Sequence, residues 1–245
     1  LDEEFSRSQV RILSDFNPIN KEIPRDLDKK YKLSYEFFYD YNKDLDLDIF
    51  YRLYLHDLNL IKEVRSSYQG QIFFVMPRIL EKKDYEKLLG QIDENISLID
   101  GFSAQTLGDI EALNSYGKII HLDPSLNIFN SYAMDFYRLK GIKDFSLSHE
   151  LNAEEISELS FNQDDLIEIQ AFGRIGQMLL KHCPASIIKG CKDDSNCKTC
   201  PFNRDLVLKN DLDKMLVNRA YGYSEVLTDS ILNLINEKDK LDKTG

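Results

Sequence analysis

The sequence lacks any apolar run near the roughly 20 residues that a membrane span needs. No G-x-G-x-x-G follows its first strand-like runs, and no G-x-x-x-x-G-K-[ST] occurs, so neither a dinucleotide fold nor a phosphate-cradling loop is expected. H-E-x-x-H and G-x-S-x-G are absent, and no cysteine lies outside one short segment, which leaves no protease machinery in plain view. Positive charge is short: the formal net charge is −11 over 245 residues. Such a surface repels phosphate on average and argues against non-specific nucleic-acid binding by the whole chain. A local basic patch stays possible, since Lys181, Lys189, Lys192 and Lys198 gather around the cysteines with Arg174 nearby. Solvated lysines are the ordinary reading of such a group. A signal peptide is missing too. The chain opens Leu1-Asp2-Glu3-Glu4, without Met or a basic region, which suggests a piece of a longer protein; a cytoplasmic location is the expectation.

What is present is an ordinary globular balance, 42% hydrophobic and 30% charged. Short β-rich runs alternate with amphipathic ones. Strands are expected at 33–39, 49–55, 72–76, 97–101, 118–122, 144–147 and 166–172, and from the second onward they recur roughly every 22–25 residues, the length of a compact βα unit. Helices are expected at 83–95, at 107–116 behind Thr106, at 128–139 behind Asn127, and at 153–159 behind Asn152 with Glu155 completing a capping box. Gly117 and Gly141 stand where helices end. The pattern predicts a mainly parallel α/β sheet, a complete or partial barrel. Only the first pair of strands has too short a connection for a crossover helix, so an antiparallel pair or a bare loop is expected there. Residues 1–32 read as an irregular lead-in with one short strand at 10–13, residues 33–182 as the barrel-like domain, and 183–245 as a cysteine loop with a small β/α extension. That extension is expected to hold a hairpin, 206–208 with 215–217, and a final helix at 230–238.

Polar residues recur at the carboxyl ends of the expected strands: His56, Arg78, Gln105, Asp123, Glu150 and Arg174. In a parallel α/β sheet those ends share one face, where active sites are built. Each alone reads as a cap or loop hydrogen bond; together they mark a candidate face. Arg78, Asp123, Asn127, Glu150 and Arg174 are expected to converge near His182, with the arginines placed to hold a carboxylate or phosphate. The structural alternative is a Glu150–Arg174 bridge between strand ends.

All four cysteines fall in "HCPASIIKGCKDDSNCKTCP" (182–201), with spacing C-x7-C-x5-C-x2-C. Cys183, Cys191, Cys197 and Cys200, separated by Gly, Lys, Asp and Ser, have the look of a chelating loop. Four thiolates suit a tetrahedral zinc or the corners of an iron–sulfur cluster. Two disulfides or four free thiols are the alternatives, though disulfides better suit a small secreted domain. His182 neighbours a ligand and is expected beside the metal rather than on it.

"IEIQAFGRIGQMLLKHCP" (167–184) resembles the signature segment of peptidase family U32, the collagenase-like peptidase family, in which a strand bearing Glu leads to an aromatic-Gly-Arg turn and then to a cysteine. "DPSLNIFNS" (123–131), "FVMPRI" (74–79) and "LSHELNAEEI" (147–156) resemble the same family in order and spacing. The resemblance covers 31–233 and is closest to the second, C-terminal unit of longer members. In the family's core unit cysteines follow the signature Gly by three and ten residues; here Gly173 is followed at those steps by Gly176 and Cys183, and no late cysteine stands near 221–223. That departure favours a self-contained four-cysteine loop. The resemblance implies three functions. One is a collagenase-like protease. Another is an oxygen-independent hydroxylase of RNA bases or quinone precursors, with a four-iron four-sulfur cluster beside the barrel face. The third is a non-catalytic, degenerate barrel held by structural zinc. Asp123, Glu150, Arg174, Arg78 and His182 are the catalytic candidates, and Gln105, Asn127 and Asn130 the substrate-binding ones. The implied partners are the remaining N-terminal part of a parent chain and an RNA or peptide substrate, with no membrane.

Overall fold

The computed structural model of the chain describes residues 32–37, 43–191, 200, 206–209, 214–220 and 222–234. The strand expected at 10–13 and Cys197 lie outside the described residues.

Seven strands follow one another in chain order across one sheet: β1 (Ser34–Phe37), β2 (Arg52–Leu55), β3 (Gln71–Val75), β4 (Gly101–Ala104), β5 (Ile119–Leu122), β6 (Asp144–Ser146) and β7 (Leu166–Glu168). Every neighbouring pair is parallel, the first included. Helices return the chain after five of them: α1 (Leu58–Arg65), α2 (Lys82–Asn95), α3 (Leu107–Leu113), α4 (Ser131–Arg138) and α5 (Ala153–Ser157). A flat sheet would hold its first and seventh strands roughly 30 Å apart, at about 4.8 Å per strand. Instead Ser34 Oγ on β1 donates to Glu168 Oε1 on β7 at 2.9 Å. The sheet is therefore curled into a partial, TIM-like barrel.

Alternation along the strands decides which side meets the helices. Leu53, Leu55, Ile72, Phe74 and Phe102 point outward and bury Ile61, Val64, Leu88 and Ile92 of α1 and α2. Ala104, Leu122, Phe145 and Leu147 do the same for Ile110, Met134, Tyr137 and Ile156 of α3, α4 and α5. Capping chemistry sets the helix starts. Thr106 with Asp109, and Asn152 with Glu155, each form a reciprocal capping box. Gly117 and Gly141 take positive φ, 62° and 82°, where the chain leaves a helix.

Several expected boundaries move. Strand β4 begins at Gly101, because 96–98 wind into a 3-10 turn. Gly101 faces inward, and a Cβ there would lie 2.4 Å from the Phe73 ring, so only glycine fits. Helix α4 starts at Ser131: Asn127 turns left-handed (φ 53°), Ile128 bridges to Leu147, and Asn130 supplies the cap. Expected strand 166–172 stops at Glu168. Phe172–Gly173 forms β8 and pairs antiparallel with β13 (Leu232–Asn233), so the start of the helix expected at 230–238 is extended chain, its remainder from 235 lying outside the described residues. Helix α1, capped by Asp57, was not expected.

The expected hairpin is present as β10 (Leu206–Lys209) and β11 (Lys214–Ala220), inside a larger antiparallel sheet of order β10-β11-β12-β9. Strands β9 (Gly176–Leu180) and β12 (Tyr223–Leu227) complete it. Its two faces differ. Leu206, Val217 and Val226 pack with Ala185 and the half-buried Cys183. Val207, Leu216 and Leu227 point the other way, and by strand alternation Tyr223 and Glu225 go with them.

Candidate functional site in and above the half-barrel

Parallel barrels ordinarily fill their interior with Val, Ile and Leu. This one holds polar side chains on the inner positions of β1, β2, β3, β5, β6 and β7. Arg52 is 1% exposed. Its guanidinium donates to both Asp144 oxygens at 3.0 and 2.7 Å, to Glu168 Oε1 at 3.2 Å, to Tyr54 Oη at 2.9 Å and, from Nε and Nη2, to Gln71 Oε1 at 3.1 Å. It also stacks 3.9 Å from the centre of the Phe73 ring. Tyr54 Oη donates in turn to Glu168 Oε2 at 2.8 Å. Burial alone would push the Asp144 carboxyl up, but hydrogen bonds from His121 and Arg52 and their charges hold it below its ordinary value.

His121, Asp144 and Glu168 each offer a ligand atom within 4.8 Å of the others, a spacing that could hold a metal ion. The cation already there is Arg52. The same group contains a hydroxyl–imidazole–carboxylate row: His121 lies 2.9 Å from Ser146 Oγ through Nε2 and 2.6 Å from Asp144 Oδ1 through Nδ1. It resembles a hydrolase triad in its distances. The charges argue against that role. Both oxygens of Asp144 are committed to Arg52, so the carboxylate that would orient and support a catalytic imidazole is already paired with another cation. The row is a structural relay, and a fluorophosphonate probe should leave Ser146 unmodified in the folded protein. A stoichiometric adduct on Ser146, read by peptide mass spectrometry, would reverse this conclusion.

Above this layer, at the carboxyl ends of the strands, lies a second group. His56 Nε2 meets Glu36 Oε1 at 2.6 Å. Arg78 lies 3.8 Å from Glu225 Oε1, and its backbone amide donates to Tyr223 Oη at 3.4 Å. Asp123 caps the 3-10 turn Pro124–Leu126 by accepting from Ser125 N at 2.8 Å. Burial pushes the Glu225 carboxyl up to about 6; Arg78 opposes this, and the charges of Glu36 and Asp123 add to it. Burial likewise raises Asp123, with Glu36 contributing. Three carboxylates thus feel one another across the barrel mouth, two of them held above the ordinary range. Because folded Glu225 binds its proton more tightly than the unfolded chain does, stability falls as pH rises from about 4.5 to about 6 and stays lower above that. Glu225→Gln should therefore gain about 1–2 kcal/mol at neutral pH and nothing below about pH 4, measured by urea unfolding at both pH values.

The expected site residues separate. His56, Arg78 and Asp123 belong to this mouth group. Gln105 is buried beside it, its backbone carbonyl accepting from Ser125 Oγ. Asn127 accepts from Ser148 Oγ, and Asn130 caps α4. Glu150 is exposed. Arg174 donates to the backbone carbonyls of Thr228 and Asp229, and His182 lies exposed beyond β9. Arg52, Tyr54, His121, Asp144, Ser146, Glu168, Glu36 and Glu225 were not singled out from sequence. A signal existed for most of them: polar residues stand at alternate positions of the expected strands, as in Arg52 and Tyr54, Asp144 and Ser146.

Among the described cysteines Cys183 and Cys200 are half-buried, Cys191 is exposed, and all three are free thiols. Between the first two runs a short helix, α6 (Ser186–Lys189), ended by left-handed Gly190. Ser186 donates to the Cys183 carbonyl from both N and Oγ, and Cys191 N donates back to Ser186 O. Lys181, just before Cys183, pairs with Glu81 at 2.8 Å across the exposed rim.

A curled, parallel α/β half-barrel with a polar interior, closed over by a small antiparallel sheet, is the class of protein these elements define. The model of peptidase family U32 matches residues 50–243, and the chain belongs to that family. No curated protein and no solved structure matches it. Among the described residues, no helix is long and apolar enough to cross a membrane.

Proposed function

We propose that this chain is the substrate-binding barrel of a cofactor-dependent U32 enzyme of the hydroxylase-like kind, with its four cysteines holding one metal centre. One observation carries the reading. A single sheet has the mouth acid Glu225 on one face and Cys183 on the other. Glu225 stands opposite Leu179, four residues before Cys183. A substrate in the mouth and a metal on the cysteines would then be separated by little more than a sheet's thickness.

By number and spacing the thiols suit such a centre; among the described residues Cys183, Cys191 and Cys200 are not gathered within ligating distance, so metal binding would have to draw the loop together. The turn between Cys183 and Cys191 is already hydrogen-bonded into a return. On the face that Cys183 packs against, the Ser224 hydroxyl is fully buried and has no hydrogen-bond partner. Held by four thiolates, an iron–sulfur cluster supplies single electrons, whereas a four-coordinate zinc supplies folding energy alone. The protein's own contribution is proton chemistry and orientation. With its carboxyl near 6, Glu225 changes protonation close to neutrality, as a general acid–base group must, and Arg78 holds it in place. Excess carboxylate in the mouth favours an uncharged, hydrogen-bonding substrate, such as an aromatic ring, over a phosphate backbone.

The collagenase-like reading lacks support in this mouth, where no thiol and no activated hydroxyl stands among the described residues. Anaerobically prepared protein, supplied with a hydroxylated organic co-substrate that gives up its oxygen and is itself reduced by two electrons, would be incubated separately with RNA, with phenolic quinone precursors and with gelatin. The proposal expects a product heavier by one oxygen in one of the first two, lost in Glu225→Gln. Gelatin cleavage that survives removal of the metal would overturn it.

A further inference from the structure

We infer that the outer wall formed by α3 and α4 is a docking surface for a second copy of this chain, joined about a two-fold axis; the metal centre proposed above plays no part in it. Helix α4 carries two apolar stripes where a surface helix ordinarily has one. Met134 and Tyr137 are buried against the sheet. Tyr132, Phe136 and Leu139 stand four and three residues apart along the opposite side and are exposed, Tyr132 at 86% and Leu139 at 89%. Exposed Leu107, the first residue of α3, lines a groove with Phe136 and the buried Ile110. Leu107, Tyr132, Phe136 and Leu139 together offer on the order of 600 Å² of side-chain surface, the upper end of what a monomer leaves open and most of the roughly 800 Å² per partner that a stable interface buries.

The charges of the groove name its occupant. Glu111 on α3 and Lys140, just past the end of α4, line it as well. Lys140 Nζ lies 5.2 Å from the centre of the Phe136 ring, and neither Lys140 nor Glu111 has an ion-pair partner among the described residues. A partner of one charge sign would meet a like charge on one helix or the other. A copy of the same surface, turned by a two-fold, sets its Lys140 against Glu111 and its Glu111 against Lys140, so the patch is its own complement. The net charge of −11 opposes self-association elsewhere, which leaves this mixed, largely apolar patch as the place where two copies attract.

Sedimentation equilibrium of the whole chain over a range of concentrations is the test. The wild type should follow a monomer–dimer equilibrium, 28.5 kDa against twice that mass, with a micromolar dissociation constant. Leu139→Glu changes a side chain that touches little in the monomer, and should weaken the dimer by about tenfold or more. Lys140→Glu and Glu111→Lys each set like charges together twice across the axis, and each should weaken it on the order of tenfold. Combined, they exchange the charges and should return the dissociation constant to within about threefold of wild type. A wild type that stays monomeric at every concentration assigns the face to a different partner and overturns the inference. A dimer indifferent to Leu139→Glu uses another surface and overturns it too. So does a dimer weakened by both single charge changes that their combination fails to restore, since its copies are not related in this way.

Discussion

Arg52→Met is expected to cost about 3–5 kcal/mol of stability at neutral pH, the range for stranding buried charges by removing their partner. Methionine fills much of the stem and leaves little cavity. What it removes is the donor to Asp144, Glu168, Tyr54 and Gln71. Asp144 and Glu168 then remain in the barrel with no full cation, answered by His121, Tyr54 and Ser34. The pH dependence separates this cause from simple loss of packing. In the wild type, Asp144 is held below its ordinary value, so its stabilising contribution is complete above about pH 4 and is lost as pH falls through the lower folded value. In the variant the buried carboxylates prefer their protons. Its deficit should therefore be largest near pH 7 and narrow on acidification. Urea unfolding of both proteins at several pH values measures this; a deficit constant from about pH 7 to about pH 4 would mean that the ion network contributes little.

Cys183→Ser should abolish the proposed metal centre outright. Outer partners of a metal already change affinity by about 10–100-fold, and a lost thiolate ligand changes it by more. Cys183 is the described thiol built most firmly into the fold: half-buried against Ala185, Leu206, Val217 and Val226, with its carbonyl fixed by Ser186. Serine there keeps the shape and the turn, so the small sheet should fold, while metal content falls to a minor fraction of wild type. Elemental analysis and circular dichroism on the same sample check both halves. A variant that keeps its full metal content would remove Cys183 from the ligand set.

The parallel sheet was legible because each of its strands carries an apolar outer face and a turn or cap behind it: Thr106, Asn152 and Gly117 mark their boundaries by local chemistry alone. The C-terminal region was less so. Strand β9 runs through "GQMLL", which has no clean alternation, and β12 through "YSEVL", whose Glu225 faces a barrel mouth formed more than a hundred residues earlier. No local pattern encodes that meeting. The polar interior was hidden for another reason. His121 sits inside β5, Asp144 opens β6 at its amino end, and Glu168 falls inside the expected strand 166–172, which the structure ends at that residue, while the search for a site followed the expected carboxyl ends. Glu225 belongs to a different sheet altogether, so the mouth could be read from the barrel sequence only as far as His56, Arg78 and Asp123.

The most direct measurement is metal and acid-labile sulfide analysis, with visible absorption, on wild-type protein purified without oxygen. The account predicts one thiolate-held centre per chain, brown with sulfide in proportion to iron, and lost in Cys183→Ser. Protein that carries no metal, with its four cysteines joined in disulfides or freely reactive in the folded state, would contradict it.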